Sequence, residues 1–285
     1  MADEENKNLI EIQKIISECG GKVGTLYDEG KVLSSIKFEY LDLKKLKLAE
    51  NGVLQDLLQY NESCTTMDIE YCDEISSEWL NYFKHFDFQT IYINYTKMAD
   101  ETLSVFQNFK NLTKINLKDC GITGEGLKYL SNLNQLEDIT LWFLKDFDCN
   151  NLKAFSNTTS LQKISFMNTP IDLTIFDQLS NLDLIDIYIC GATDSDGKGI
   201  SYLLNFSNLE ILSLGKLQNY ETVRELKALQ NLERLTFGEN TITPDYIDVL
   251  GELQNLERLD LHKPFKSKDI KKLKKLLPGR DIYLD

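Results

Sequence analysis

A six-residue pattern, L-x-x-L-x-L, returns about every 24 residues through most of the chain. It is clearest at Leu112, Ile115 and Leu117. The same spacing recurs at Leu136/Ile139/Leu141, Leu161/Ile164/Phe166, Leu184/Ile187/Ile189 and Leu209/Leu212/Leu214. It continues at Leu232/Leu235/Phe237, Leu256/Leu259/Leu261 and Gly279/Ile282/Leu284, with weaker copies upstream at Phe88/Ile91/Ile93 and Cys64/Met67/Ile69. From residue 64 to residue 279 the first positions lie 24, 24, 24, 25, 23, 25, 23, 24 and 23 residues apart. An interval that constant means one supersecondary unit repeated along the chain. A unit of this length cannot bury its own apolar strand and helix faces, so neighbouring units must stack. One register stays open: Leu182 can anchor its unit in place of Leu184, and a two-residue slip preserves the alternation of faces.

The second half of each unit also repeats, as in Ile122-Thr-Gly-Glu-Gly-Leu127-Lys-Tyr-Leu130 and Ile242-Thr-Pro-Asp-Tyr-Ile247-Asp-Val-Leu250. Several units close with Asn-Leu, at Asn111, Asn208, Asn231 and Asn255. Together these segments resemble the leucine-rich-repeat family in a short form, and the resemblance covers nearly the whole chain. It implies an α/β fold: a leucine-rich-repeat solenoid, or horseshoe, with a parallel concave β-sheet, convex helices and an N-terminal helix–hairpin cap. The position that is Asn in the usual consensus here reads Cys72, Thr96, Cys120, Leu144, Thr169, Ala192, Leu217, Asn240 and Pro264. An asparagine ladder is therefore not expected, and the column is more similar to that of cysteine-containing members. Cys72 and Cys120 fall two repeats apart, roughly 10 Å, too far for a disulfide, so they are read as core-filling.

Stacked repeats need caps. Leu9, Ile12, Ile15, Ile16 and Cys19 share one helical face, and Gly20-Gly21 stops that helix. Residues 22–27 and 32–38 then read as a hairpin around Asp28-Glu-Gly30. The first interval, Leu33 to Cys64, is 31 residues, room for a longer helix near 52–60. The expected division is residues 1–40 as cap with the first repeat strand, 41–262 as repeats, and 263–285 as closing helix and last strand. All three form one continuous domain. Residues 263–280 hold eight Lys/Arg and one acid, a balance of +7, so the formal charge of −14 becomes −14 − 7 = −21 for the rest. The basic helix is read as a solvated cap.

Charge and reactive residues narrow the function. With 31 Lys plus Arg against 45 Asp plus Glu, the chain repels nucleic acid and suits a basic protein partner. No apolar run approaches the roughly 18 residues of a membrane span, and Met1-Ala-Asp-Glu-Glu lacks the basic start of a signal peptide. Six cysteines lie far apart, and the two histidines, His85 and His262, have no motif partner. Reduced thiols and a cytoplasmic location are therefore expected, with no catalytic residue, no metal and no cofactor. Asp194-Ser-Asp-Gly-Lys-Gly199 invites a calcium reading, but the loop pattern would need acids where Ala192 and Leu203 stand. It is read as an expanded T-x-x-G turn.

Residues between the leucines face away from the core. On that face stand Tyr40, Asp68, Glu70, Tyr71, Tyr92, Tyr95, Asp119, Asp138, Trp142, Phe143 and Tyr188. They are the expected partner-binding residues, because exposed tyrosine and tryptophan bury much area with little rotamer entropy. Toward the C-terminal end the same columns read Lys216, Arg234, Arg258, Asp260, His262 and Lys263. The resemblance implies a non-enzymatic scaffold that binds a protein through its concave face. The alternative is an acidic inhibitor or immunity-type protein that neutralises a basic toxin or nuclease.

Overall fold

Each copy of the pattern becomes one short parallel strand, since alternating apolar residues can bury one face of an extended chain and leave the other wet. The computed structural model describes residues 35–40, 63–215, 221–238, 242–262 and 264–284, with Lys14 and Ser17 besides. The expected N-terminal helix and its glycines, most of the hairpin, the helix near 52–60, and Lys216, Leu217, Asn240 and Lys263 lie outside the described residues.

The chain divides into two compact units, residues 1–140 with 144–146, and residues 141–143 with 147–285. In the first, β1 (Ser35–Glu39), β2 (Thr66–Glu70), β4 (Thr90–Asn94) and β6 (Lys114–Lys118) pair in that order, all parallel. The two-residue strands β3 (Glu74–Ile75) and β5 (Lys97–Met98) form a separate parallel pair that the repeat pattern did not suggest. Strand β7 (Asp138–Trp142) falls at the division. In the second unit β8 (Lys163–Asp172), β9 (Asp186–Thr193), β10 (Ile211–Gly215), β11 (Arg234–Phe237), β12 (Arg258–Leu261) and β13 (Asp281–Leu284) follow one another, again parallel.

Registers place like positions side by side. Ile36, Met67, Ile91 and Ile115 form one buried row, and Phe38, Ile69, Ile93 and Leu117 the next. In the second unit Ile187 and Ile189 are buried opposite Leu212 and Leu214, whereas Ile185 is only half-buried. The unit is therefore anchored at Leu184. The last copy departs from expectation: Ile282 is buried, but Leu284 is 37% exposed and Tyr283 45%. Among the described strands, β13 pairs with β12 alone, which leaves the end of its row open.

The segments returning from strand to strand are helical, as expected, and mix 3-10 helices with short α-helical stretches such as Ser77–Asn81. Asp100–Asn108, Cys149–Phe155, Gly199–Asn205 and Glu221–Ala228 are 3-10 helices, while Leu127–Leu130, Ile175–Gln178 and Ile247–Leu250 are single α-turns. A short repeat explains this. A five-residue strand spans about 16 Å, which eight residues of 3-10 helix match at about 2.0 Å each. Among the described residues, the α-helix that exceeds two turns is Ser267–Leu276, the expected closing helix. Its Asp269 accepts from Lys266 N at 2.8 Å, and Lys272 pairs with Asp248 at 2.8 Å. No helix among the described residues is long and apolar enough to cross a membrane.

Side chains in the column that lacks asparagine still join the repeats. Thr96 Oγ1 accepts from Cys72 N at 3.0 Å and donates to Asn94 O at 3.0 Å. The Cys72 thiol donates toward Phe38 O at 3.6 Å, and Thr169 Oγ1 donates to Leu141 O at 2.8 Å. Cys72 therefore both fills the core and bonds. Burial pushes the thiols of Cys64 and Cys120 up to about 12, so both stay protonated.

The T-x-x-G turns are organised by carboxylates from the preceding repeat. Asp100 accepts from Thr123 N, Thr123 Oγ1, Gly124 N and Gly126 N at 2.8–3.0 Å. Asp172 does the same for Thr193 Oγ1 (2.8 Å) and Ser195 N (3.0 Å). In the expanded turn Asp194-Ser-Asp-Gly-Lys-Gly199, Asp194 accepts from Gly199 N at 2.9 Å, and Asp196 is engaged by Lys198 and the Tyr202 hydroxyl. The loop's own donors thus engage Asp194 Oδ2 and Asp196 Oδ2, while Asp194 Oδ1 is buried without a hydrogen-bond partner.

Candidate protein-binding face

Strands β1, β2, β4 and β6 end one residue before a shared irregularity. Among the described residues, Tyr40, Tyr71, Tyr95, Asp119, Phe143 and Asn168 have φ between 46° and 58°, each at the same position of its repeat. Gly191, with φ 98°, is the next residue of the series. Left-handed backbone costs an L-residue roughly 1–2 kcal/mol. The turn is held by main-chain bonds to the following strand: Tyr40 N to Glu70 O (3.1 Å), Tyr71 N to Asn94 O (3.1 Å), Tyr95 N to Lys118 O (2.7 Å) and Phe143 N to Met167 O (2.8 Å). The sequence reading placed these residues on the alternating face of the strands. They stand instead at the strand exits, where the chain reverses hand. Asp, Asn and Gly recurring at this one position were the signal, since those types tolerate positive φ best.

In the first unit the shared turn lines up three rings. Tyr40 and Tyr71 stack with centroids 5.0 Å apart and planes 6° from parallel, and Tyr71 and Tyr95 stack at 4.7 Å and 0°. Lys118 Nζ lies 4.7 Å from the centroid of Tyr95, on the adjoining strand. The ring spacing is that of neighbouring strands. Tyr40 is 63% exposed and Tyr71 42%, large apolar area at a position that packing does not require to be apolar. Asp119, next in the column, is exposed.

The flat part of the same face carries charge. Lys37 Nζ reaches Glu70 at 2.8 Å and Asp68 at 3.5 Å, and the Glu70 hydrogen bond holds the ammonium above its usual range. Loss of water pushes the Asp68 carboxyl up, although Lys37 opposes the shift. Its Oδ1 is buried without a hydrogen-bond partner. Tyr92 is the register partner of Asp68, and Asp138 pairs with Lys114 at 2.7 Å.

In the second unit the structure brings Trp142 and Tyr188 together, with centroids 6.0 Å apart at 42°. Trp142 Nε1 donates to Ser165 Oγ at 2.8 Å. Phe143 follows in the left-handed turn and is half-buried. Farther along, Arg258 Nε donates to both oxygens of Asp260 at 2.9 Å, and its guanidinium lies 4.5 Å from the Tyr283 centroid. The Asp260 hydrogen bond raises the Arg258 pKa. The eleven expected residues thus form a tyrosine column with Asp119, an acidic cluster about Lys37 with Tyr92 beside it, the Lys114–Asp138 pair, and an aromatic group about Trp142.

Among solved structures, the TLR13–ssRNA13 complex is similar over 80% of this chain and 35% of that one, with a TM-score of 0.52 and 14% identity. The chain has the leucine-rich-repeat fold. An internalin (inlF) from Listeria monocytogenes aligns over 98% of this chain and 94% of its own, at 15% identity and a TM-score of 0.44. Internalin C2 (inlC2) from the same organism aligns over 74% and 84%, at 21% identity and a TM-score of 0.45. No protein-family model matches the sequence, and no curated protein does.

Proposed function

We propose that the protein is a non-enzymatic scaffold that binds a protein partner through the polar face and strand exits of its parallel repeats, the side read from the sequence as concave. The observation that carries this reading is the stacked, solvent-exposed pair Tyr40 and Tyr71 continuing into Tyr95. Rings already ordered lose little entropy on binding. The carboxylates of Asp100, Asp172 and Asp260 accept hydrogen bonds that hold turns and strands, which supports a structural role for them rather than a catalytic one. The TLR13 structure is a complex with ssRNA13; for this chain the formal charge of −14 favours a protein over a nucleic acid. Buried thiols at Cys64, Cys72 and Cys120, none paired in a disulfide, support a cytoplasmic location.

The decisive test is affinity capture from native cells with the wild type and a Tyr71→Ala/Tyr92→Ala/Trp142→Ala variant, read by mass spectrometry. A protein recovered with the wild type and lost with the folded variant is the expected result. Recovery at equal yield would sink the reading. The acidic surplus favours a second reading, an inhibitor or immunity-type protein that covers a basic toxin or nuclease. That version requires binding that weakens steeply with added salt.

A further inference from the structure

Three carboxylates gather beside the tyrosine column on strands β1 and β2. Glu39 is the register partner of Glu70, and Asp68 lies two residues before Glu70 on the same strand. Lys37 is the cation they have in common. Like charges directly opposite in a sheet are destabilising, and one oxygen of Asp68 is buried without a hydrogen-bond partner. Lys37, paired with Glu70 at 2.8 Å and with Asp68 at 3.5 Å, offsets part of that repulsion. Beyond the column's last tyrosine stands a fourth acid, the exposed Asp119.

The rings themselves limit how they can be met. Stacked at 4.7–5.0 Å, they cover one another's faces and leave edges and hydroxyl groups for a partner. Lys118 shows that a cation lodges against the column, since its ammonium sits over Tyr95. A side chain suited to the strip has an apolar stem for ring edges and several donors for phenolic oxygens and carboxylates together. Arginine has both, whereas lysine offers a compact point charge.

We propose that the Tyr40–Tyr71–Tyr95 column receives an extended, arginine-bearing segment of the protein partner, with its stems on the ring edges and its guanidinium groups on Glu39, Glu70 and Asp119. This deepens, and rests on, the reading that the protein binds a partner through this face.

The test uses the full chain and a fluorescein-labelled peptide with arginine at alternate positions, read by anisotropy. Peptides with lysine or glutamate in place of arginine serve as comparisons. The arginine peptide is expected to bind about tenfold tighter than the lysine peptide, and the glutamate peptide not at all. Tyr71→Ala and Glu39→Gln should each weaken the arginine peptide several-fold, with Glu125→Gln, an exposed acid in a returning turn away from the column, unchanged. Tyr71→Phe, which keeps the stack, guards against a folding defect and should lose only part of the affinity. Equal binding of the arginine and lysine peptides, indifference to Tyr71→Ala, or no binding of the arginine peptide would overturn the proposal. If the captured cellular partner still depends on Tyr71 while the arginine peptide fails to compete with it, this inference falls and the scaffold reading stands.

Discussion

The ring of Tyr71 lies parallel to that of Tyr95, centroids 4.7 Å apart, although a whole repeat separates them along the chain. Neither ring chooses that geometry. It follows from a strand spacing and a left-handed turn repeated in register, so each aromatic is held by its neighbour's backbone rather than by its own contacts.

The turn itself can be tested where no ring is involved. Gly191 has φ 98° and open space where a Cβ would go. Gly191→Ala should therefore lose roughly 1–2 kcal/mol by backbone strain alone. Asp119→Gly, at φ 46°, should gain up to about 1 kcal/mol. Urea unfolding at one pH measures both, and opposite signs, with the larger effect at Gly191, are the expected pattern.

Crowding is separable from strain at two other glycines. A Cβ on Gly126 would stand 2.3 Å from Asp100 O, a backbone atom, and 2.8 Å from Leu103 Cδ1. On Gly251 it would meet the Leu276 side chain at 2.7–3.2 Å. Gly126→Ala should cost about 1–3 kcal/mol or more and loosen the Asp100 turn. Gly251→Ala should cost less, because a leucine side chain can shift. Thermal melts of the two variants side by side decide the order.

The Thr96 hydroxyl joins two repeats through Cys72 N and Asn94 O. Thr96→Val keeps the shape and orphans a buried N–H, which should destabilise by about 1–3 kcal/mol. Thr96→Ser, which restores the oxygen, should recover most of that in the same unfolding assay.

Two carboxylates should respond to pH with opposite sign. Burial raises the Asp68 pKa above 3.8, so the folded state holds that proton longer and wild-type stability falls as pH climbs from 3.8 to the folded value. Asp172 is lowered below 3.8: burial opposes the shift, but hydrogen bonds from Thr174, Thr193 and Ser195 outweigh it. Its contribution is present above 3.8 and is lost as pH falls through the folded value. Relative to wild type, Asp68→Asn should therefore gain stability with rising pH. Asp172→Asn should be less stable at about pH 7, with the gap closing below about pH 4. Denaturation midpoints across that range check both.

The row of buried strand residues was legible because a two-residue alternation inside a fixed interval admits one arrangement. Leu112, Ile115 and Leu117 are buried as expected, and so is every such triplet through Leu261. The returning segments were less legible, since helical spacing in four to nine residues does not distinguish an α-turn from a 3-10 helix. The candidate face was half legible. Tyr40, Tyr71 and Tyr95 could be picked out, but their stacking depends on a positive φ that the tyrosine side chain itself disfavours. Asp119, Asn168 and Gly191 carried that information at the same column, one repeat at a time.

The turn leaves its side chain unconstrained. The N–H groups of Tyr40, Tyr71, Tyr95 and Phe143 are anchored to main-chain carbonyls of the adjoining strand, so the side chains take no part in making the turn. Tyrosine, aspartate, phenylalanine, asparagine and glycine all occupy it. Side chains can therefore be exchanged at this position while the backbone beneath them stays the same, as type is exchanged in a frame.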